Sequence, residues 1–264
     1  MRLHVGAKTD VGRVRELNED AYLASIDARL FVVCDGMGGA PAGEVASDLA
    51  VKAILQQFNG GAAGLTAGNG NGYLPQTSRL GHAIRQSNRI VYAHAQEDLR
   101  HNGMGTTVVA ACITKNIASI AHVGDSRAYL WHDDRLEPLT RDHSLAEAQV
   151  RAGVPADSPG INEQQNALLR VLGRASDVNV ELAEVPVRSG DYLLLCSDGL
   201  TRMVPEPTIE RTIVRLRQPQ RIADDLIEAA NECGGADNTT VVIVEIGGSW
   251  WNRLSHRWRS VTRL

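Results

Sequence analysis

The chain has 264 residues, of which 43% are hydrophobic and 22% charged, and its formal net charge at pH 7 is −4. This composition is typical of one large globular domain with a substantial core. The mildly acidic balance argues against a general nucleic-acid-binding protein, and no run of about 18 apolar residues is present. Because the N-terminal residues also lack the apolar core of a signal peptide, the sequence predicts a cytoplasmic protein.

The first part of the chain predicts three strands, at 3–9, 21–26 and 30–34, each a short run rich in β-branched or aromatic residues. The loop between the first two contains Arg15, Glu19 and Asp20. Two interpretations of this loop are open. It is either a solvated segment with weak ion pairs, or a site where the arginine binds a phosphate and an acid holds a metal ion.

The third strand ends at Asp35, which enters a glycine-rich bend. Burying this carboxylate is unfavourable unless a partner compensates its charge, although the pattern alone also fits an ordinary Asp-Gly turn. Asp125, Asp198 and Asp237 recur at similar junctions between an apolar run and a loop. If these carboxylates converge, their repulsion predicts a hard cation, Mg²⁺ or Mn²⁺, between them.

The remaining chain predicts helices and antiparallel strands. Helices are expected at 44–58, from about 80 to 94, and at 145–152, 206–216 and 219–232. Strands are expected at 106–114, 117–122, 127–131, 136–139, 178–185, 191–196 and 239–246. The short connections at 115–116 and 132–134 favour hairpins, and no strand is followed by a GxGxxG dinucleotide motif.

Three further features complete the pattern. The glycine-rich segment 59–78 is predicted to be a loop, and 145–166 is predicted to contain a surface flap. The four cysteines are scattered, and three lie in apolar runs, so they are interpreted as reduced core residues. The sequence shows no Cys/His cluster at the spacing of a zinc site.

Seven short motifs occur in order along the chain: VRELNED at 14–20, VCDGMGG at 33–39, MGTT at 104–107, VGDSRAY at 123–129, LTRDHS at 139–144, LLCSDGL at 194–200 and DNTT at 237–240. Together they resemble the metal-dependent protein phosphatase family, the type 2C serine/threonine phosphatases, and in particular its small stand-alone bacterial members. The resemblance implies an α+β fold, a four-layer αββα sandwich of two antiparallel sheets flanked by helices, with a metal cluster at one end. It assigns 1–246 to the catalytic domain and leaves 247–264 as a tail.

The resemblance also implies a set of metal ligands. Asp35 would bridge two Mn²⁺ or Mg²⁺ ions, the Gly36 carbonyl would hold the second ion, and Asp198 and Asp237 would complete the first. Asp125, together with Asp198, matches a third-ion position of bacterial relatives.

Further residues receive supporting roles by the same resemblance. Glu19 and Asp20 would surround the second ion, mostly through water, and Asn238 would support the ligands from behind. Arg15 matches the phosphate-binding arginine of the family.

The implied activity is hydrolysis of phosphoserine and phosphothreonine in proteins by a water that two divalent ions activate. The implied partners are phosphorylated proteins, either the substrates of a bacterial serine/threonine kinase or the kinase itself, and the chain is expected to be a monomer. Two alternatives stay open: a pseudophosphatase that only binds phosphoproteins, and a hydrolase of small phosphate esters. Many eukaryotic members have His at the position of Met37, so the leaving-group acid is undetermined; a metal-bound water is the first candidate and His143 the second.

The tail lies outside the resemblance. Residues 247–264 contain four arginines and no acid, with Trp251, Leu254, Trp258 and Val261 at helical spacing. Such a helix would be basic and amphipathic, which suits an anionic membrane surface or an acidic groove of a partner protein. A tail without fixed structure, or one whose Trp side chains pack back on the domain, is an equally open interpretation.

Overall fold

The computed structural model describes residues 1–37, 42–60, 72–97, 99–101, 103–155, 158 and 167–247. These residues form two antiparallel sheets that pack face to face. The first sheet has the strand order β1 (Arg2–Asp10), β11 (Thr239–Gly247), β10 (Tyr192–Cys196), β7 (Arg127–His132), β8 (Arg135–Pro138). The second has the order β2 (Asp20–Ser25), β3 (Leu30–Met37), β5 (Val108–Thr114), β6 (Ile117–Val123), β9 (Glu181–Pro186), and β4 (Gly105–Thr106) pairs with β3.

Helices cover the outer faces of both sheets. The helices on the second sheet are α1 (Ala42–Asn59) and α2 (Pro75–Glu97). The helices on the first sheet are α4 (Asp198–Met203), α5 (Glu206–Leu216) and α6 (Pro219–Glu232). A short helix, α3 (Leu145–Arg151), begins after Ser144, whose hydroxyl accepts the N–H of Glu147. The four-layer αββα sandwich predicted from the sequence is confirmed.

Strand β3 shows how the sequence builds the core on both sides of a sheet. Phe31 and Val33 face the other sheet, whereas Leu30, Val32 and Cys34 pack against α1 and α2. Because successive side chains of a strand point to opposite faces, a strand covered on both sides needs a nearly continuous apolar run. Each fully buried large side chain stabilises the fold by about 1.5–3 kcal/mol.

Several element boundaries differ from the sequence prediction. Strand β3 does not end at Asp35 but continues to Met37, because Gly36 and Met37 pair with β4. Helix α2 already begins at Pro75, inside the predicted loop 59–78, and proline is favourable in a first helical turn. The sequence prediction lacks α4, which is only six residues long and follows β10 after the single residue Ser197.

The two predicted hairpins are confirmed. β5 pairs with β6 and β7 with β8, both antiparallel. In the second hairpin, Asp133 and Asp134 have φ angles of 50° and 60°. Positive φ at both central positions is the geometry of the two-residue turn that matches strand twist.

Parts of the predicted loop, the predicted flap and the tail 248–264 lie outside the described residues. The domain boundary at 246 and the amphipathic tail therefore stay predictions. Among the described residues, no helix has both the length and the apolar character needed to cross a bilayer. The four cysteines are free, and Cys34, Cys112 and Cys196 are buried, as predicted for reduced core residues.

Candidate metal centre

One end of the sandwich brings together acidic residues from distant parts of the chain. They are Asp20 at the start of β2, Asp35 on β3, Asp125 after β6, Asp198 at the start of α4 and Asp237 before β11. Burial raises the pKa of Asp35 well above its usual range, and the negative charges of Asp20, Asp198 and Asp125 raise it further. Such mutual effects arise between carboxylates only when they lie close together.

The backbone around Asp35 is fixed on both sides by two threonines. The N–H of Asp35 donates to Oγ1 of Thr107 (3.0 Å), and its carbonyl accepts bonds from Oγ1 of Thr106 and the N–H of Thr107, both at 2.8 Å. The backbone that carries the Asp35 carboxylate is thereby fixed at both its N–H and its carbonyl, and such support favours a precise ligand position.

Asp20 lies directly opposite Asp35 in the β2–β3 register. Its Oδ2 accepts hydrogen bonds from Oγ of Ser197 and Oγ1 of Thr240, both at 2.7 Å. These bonds orient the carboxylate and link the second sheet to the first. Burial nevertheless raises the pKa of Asp20 to about 7, and the charges of Asp198 and Asp237 contribute to that rise.

Gly199 allows the start of α4 to approach the turn before β11. A Cβ atom at this position would lie 2.1 Å from the carbonyl oxygen of Asn238, so a larger residue would push the two segments apart. The close approach brings Asp198 and Asp237 to the same side of the site. Asp198 is 9% exposed, and burial raises its pKa.

Gly36 permits a second close approach, between β3 and the start of α1. A Cβ atom on Gly36 would lie 2.2 Å from the carbonyl oxygen of Gly43 and 2.6 Å from that of Glu19. The N–H of Gly36 donates to the Glu19 carbonyl at 3.1 Å. The structure therefore places Glu19 beside Gly36, and burial raises the pKa of the Glu19 carboxyl.

Arg15 reaches the acidic cluster from the loop between β1 and β2. Its Nη2 donates to Oδ2 of Asp237 at 2.9 Å, and this bond and the charge of Asp237 raise the pKa of Arg15. The charges of Glu19 and Asp35 act in the same direction, so the guanidinium lies near both. The Arg15 side chain is 54% exposed, which leaves it accessible to a ligand.

Asn238 holds this loop against the cluster. Its Oδ1 accepts the N–H of Glu19 at 2.8 Å, and its Nδ2 donates to the carbonyls of Val11 and Leu17, both at 2.9 Å. A single amide side chain thus fixes the residues on both sides of Arg15. Asn238 is 6% exposed, so these bonds form in an environment with little competing water.

Asp125 lies close enough to Asp198 for the two charges to interact, and it is 6% exposed. Burial raises its pKa to about 7, with a further contribution from the charge of Asp198. Arg202 counteracts this effect, because its Nη2 lies 3.4 Å from Oδ2 of Asp125 and makes a shorter contact with Oδ2 of Asp198.

The cluster fits a divalent cation. Oδ1 of Asp20 and Oδ1 of Asp198 are buried, and neither has a hydrogen-bond partner among the described residues. Buried polar atoms normally have such partners, and burial together with the charges of neighbouring acids raises the pKa of both carboxyls. All of these acidic side chains offer oxygen ligands, which suit Mg²⁺ and Mn²⁺.

Comparison with known proteins identifies the family of the chain that carries this centre. The family model described as protein phosphatase 2C matches residues 12–233. The chain belongs to the protein phosphatase 2C family. The family that the ordered motifs resemble is therefore confirmed, and the protein is a phosphatase whose cofactors are Mn²⁺ or Mg²⁺.

Alignments with individual relatives extend over almost the whole length of this protein phosphatase 2C. It is 40% identical over 247 residues to the serine/threonine phosphatase stp of Listeria innocua, an alignment that covers 92% of this chain and 96% of the relative. The structure of the serine/threonine phosphatase Stp1 from Staphylococcus aureus superposes with a TM-score of 0.82 at 33% identity, covering 94% of this chain and 96% of the other.

A third similar structure includes metal ions. It is the catalytic domain of the serine threonine protein phosphatase PstP in complex with two manganese ions, with a TM-score of 0.77 and 33% identity over 93% of this chain and 99% of the other. The described fold of this protein phosphatase 2C is therefore one that accommodates a pair of such ions.

A second group of metal-binding residue types was not expected from the sequence. His122, His143 and Glu181 present ligand atoms within 4.8 Å of one another. Spacing along the chain could not reveal this group, because its members come from β6, β9 and the segment before α3. The two imidazole rings stack with centroids 4.5 Å apart.

The ring nitrogens of this histidine group are engaged by the protein. The N–H of Gly124 donates to Nδ1 of His143 at 3.2 Å, which leaves the proton of the neutral ring on Nε2, 3.1 Å from Oε2 of Glu181. Nε2 of His122 lies 2.8 Å from the carbonyl of Arg141 and donates to it. Three ring nitrogens of the group are thus hydrogen-bonded to Gly124, Glu181 and Arg141. These bonds favour a structural role for His143 over the role of leaving-group acid, for which it was the second candidate.

No role was predicted from the sequence for the side chains that hold the acids of the cluster in place. Ser197, Thr106, Thr107 and Thr240 all lie inside the quoted motifs, so the signal was present without a role attached. Arg202 lies outside them, and its only signal is its position four residues after Asp198, which places both on one face of a helix.

Proposed function

We propose that this phosphatase hydrolyses phosphoserine and phosphothreonine in proteins at the carboxylate cluster. The residues that would hold the divalent ions are Asp35, the Gly36 carbonyl, Asp198 and Asp237. The observation that carries the assignment is the buried Oδ1 of Asp198, which has no hydrogen-bond partner among the described residues and lies within a group of acids with raised pKa values. When bound, the divalent ions lower the pKa of a shared water and offset charge on the phosphoryl oxygens.

The protein's own residues then position the substrate and the ligands. Arg15 would bind the phosphoryl oxygens, because its guanidinium is half exposed and offers several N–H donors in a planar fork. Asp237 orients that guanidinium through the 2.9 Å bond to Nη2. Glu19 and Asp20 would surround the second ion, and Ser197 and Thr240 keep the Asp20 carboxylate in one orientation.

A protein substrate, as opposed to a small ester, is supported by the surface beside Arg15. Val14 and Leu17 are 69% and 47% exposed and flank the arginine on its loop. Exposed apolar side chains next to a phosphate-binding group can contact the residues around a phosphorylated side chain, but they add nothing to the binding of a small phosphate ester.

The substrate class can be tested with paired substrates. Val14→Ser and Leu17→Ser should lower kcat/KM for a phosphothreonine peptide while the rate with a small aryl phosphate stays near wild type. Val214→Ser, at an exposed position on α5, is the matched control and should change neither rate. Equal loss on both substrates, or faster turnover of a nucleotide or sugar phosphate than of the peptide, would support the small-ester alternative.

The pseudophosphatase alternative requires the loss of metal carboxylates, whereas Asp35, Asp125, Asp198 and Asp237 are all present. Manganese-dependent turnover of a phosphothreonine peptide tests it directly. Binding of the peptide without turnover at any manganese or magnesium concentration would favour the binding module.

We also propose that the substrates are proteins phosphorylated by a serine/threonine kinase, or the kinase itself. The chain is proposed to act as a monomer in the cytoplasm. The basic tail is proposed to dock on an anionic membrane or an acidic partner. Free cysteines support a reducing compartment. Phosphoproteomics after deletion of the gene should show serine and threonine sites gaining phosphate. Liposome co-sedimentation of the full chain against a truncation at Gly248 tests the tail, and equal binding would end the membrane proposal.

A further inference from the structure

Arg202 lies between two acids of the cluster. It follows Asp198 by four residues on α4, so the two side chains share a helix face. Its Nη2 contacts Oδ2 of Asp198 and lies 3.4 Å from Oδ2 of Asp125, which comes from the turn after β6. A single nitrogen of this arginine therefore interacts with two carboxylates that belong to different elements.

The two acids need a cation at this point. Asp125 and Asp198 are 6% and 9% exposed, and their charges repel each other. Among the described residues, Arg202 is the arginine or lysine that makes ion pairs with both. Because a guanidinium does not lose its proton in proteins, this compensation is present at every working pH.

A divalent ion and Arg202 cannot occupy this position together. An Mg²⁺ ion bound to both Oδ2 atoms would lie about 2.1 Å from each oxygen, in the space where Nη2 lies, and its charge would repel the guanidinium. The Arg202 side chain is 29% exposed, so it has a route toward solvent when an ion displaces it.

We propose that Arg202 is a built-in cation that competes with a divalent ion for the Asp125–Asp198 pair. This inference rests on the proposed ion site. It makes the ion at this pair the weakest bound, because that ion must first displace an arginine that contacts both of its carboxylates. At the Asp35 ions, Arg15 pairs with one proposed ligand, Asp237. The number of ions bound at a given metal concentration is then set by Arg202.

Manganese titration of the full-length protein tests the competition, with free Mn²⁺ followed by electron paramagnetic resonance. Arg202→Met should tighten the weakest site by about tenfold to a hundredfold, the equivalent of one lost charged hydrogen bond. Arg215→Met is the matched control, because Arg215 forms a 2.7 Å ion pair with Asp225 on the outer helices. It should leave every site unchanged.

Two more variants separate competition from a general effect on folding. Arg202→Lys keeps the positive charge and should leave the weakest site close to its wild-type affinity. In the double variant Asp125→Asn with Arg202→Met, the gain in affinity should disappear, because one carboxylate of the pair is lost. An Arg202→Met protein that binds its weakest ion with wild-type or lower affinity would overturn the proposal, and so would a gain that persists in the double variant.

Ion counting does not depend on turnover, so the two proposals fail separately. A wild-type affinity in Arg202→Met beside normal phosphatase activity would overturn the competition alone. A tightened site in a protein that hydrolyses no phosphopeptide would support the competition and reject the proposed activity.

Discussion

The carboxylate cluster around Asp35 and the histidine cluster around His143 are both made of residue types that bind metal ions. In the histidine cluster, Nδ1 of His143 accepts the N–H of Gly124, Nε2 faces Glu181, and His122 donates to a main-chain carbonyl. In the carboxylate cluster, two buried oxygens have no hydrogen-bond partner among the described residues, and burial raises the pKa of several acids. Both clusters therefore offer suitable ligand types, and the buried oxygens without hydrogen-bond partners distinguish the carboxylate cluster as the candidate metal site.

The largest effect is expected from the carboxylate cluster. Replacing Asp35 with Ala should lower kcat by about a thousandfold or more, because it removes the ligand proposed to bridge both ions. Steady-state kinetics with a phosphothreonine peptide measures the loss. Asp48→Asn, at an exposed acid paired with Lys52, should keep the wild-type rate. Wild-type turnover by Asp35→Ala would contradict the proposed bridge.

The histidine cluster should respond in stability and not in metal binding. His122→Ala removes a side chain that is 2% exposed together with its hydrogen bond to Arg141, so the free energy of unfolding should fall by about 2–4 kcal/mol. Urea unfolding measures the loss, and manganese affinity at the Asp35 cluster should stay unchanged. Asp35→Ala should instead lose manganese affinity. In metal-free protein it should not lower the free energy of unfolding, because it removes a charge that burial disfavours. Loss of manganese binding in His122→Ala would show that the ions bind at the histidine cluster, contrary to this prediction.

A moderate effect is expected at the loop between β1 and β2, which carries Arg15. Asn238→Ala removes the bonds to Glu19, Val11 and Leu17, so the position of Arg15 should become less defined. The KM for a phosphopeptide should rise by about tenfold, with a smaller change in kcat. Asn116→Ala, at an exposed position in the β5–β6 turn, is the control. A fall in kcat with an unchanged KM would indicate that Asn238 acts on the ligands and not on the loop.

The smallest effect is a pH dependence of stability. Burial lowers the pKa of His122 and His143 below their ordinary value of 6.5 in the folded protein. The folded state therefore binds these protons less readily than the unfolded state, and stability present above pH 6.5 is lost as the pH falls through the folded values. His143→Gln in manganese-saturated protein should reduce the loss measured by urea unfolding between pH 7 and pH 5 by about 1 kcal/mol or less. The control is His94→Gln, at a side chain that is 42% exposed, and it should leave this pH-dependent loss of stability unchanged.

The αββα sandwich was implied by the resemblance of the seven motifs to a known family, whereas the apolar runs and short turns alone predicted strands, helices and antiparallel hairpins. The same runs marked Asp35, Asp125, Asp198 and Asp237 at junctions with loops, and the resemblance added Glu19 and Asp20. It could not predict His122 beside Glu181, since that contact comes from the β6–β9 pairing across the sheet. Arg202 was missed for a related reason: its partner Asp125 is 77 residues away along the chain, and only the folded structure brings the two together.

Anomalous diffraction from crystals soaked in manganese tests the comparison most directly. The account predicts strong manganese peaks between Asp35, Asp198 and Asp237 and none between His122, His143 and Glu181. Manganese bound at the histidines, with none among the carboxylates, would contradict it.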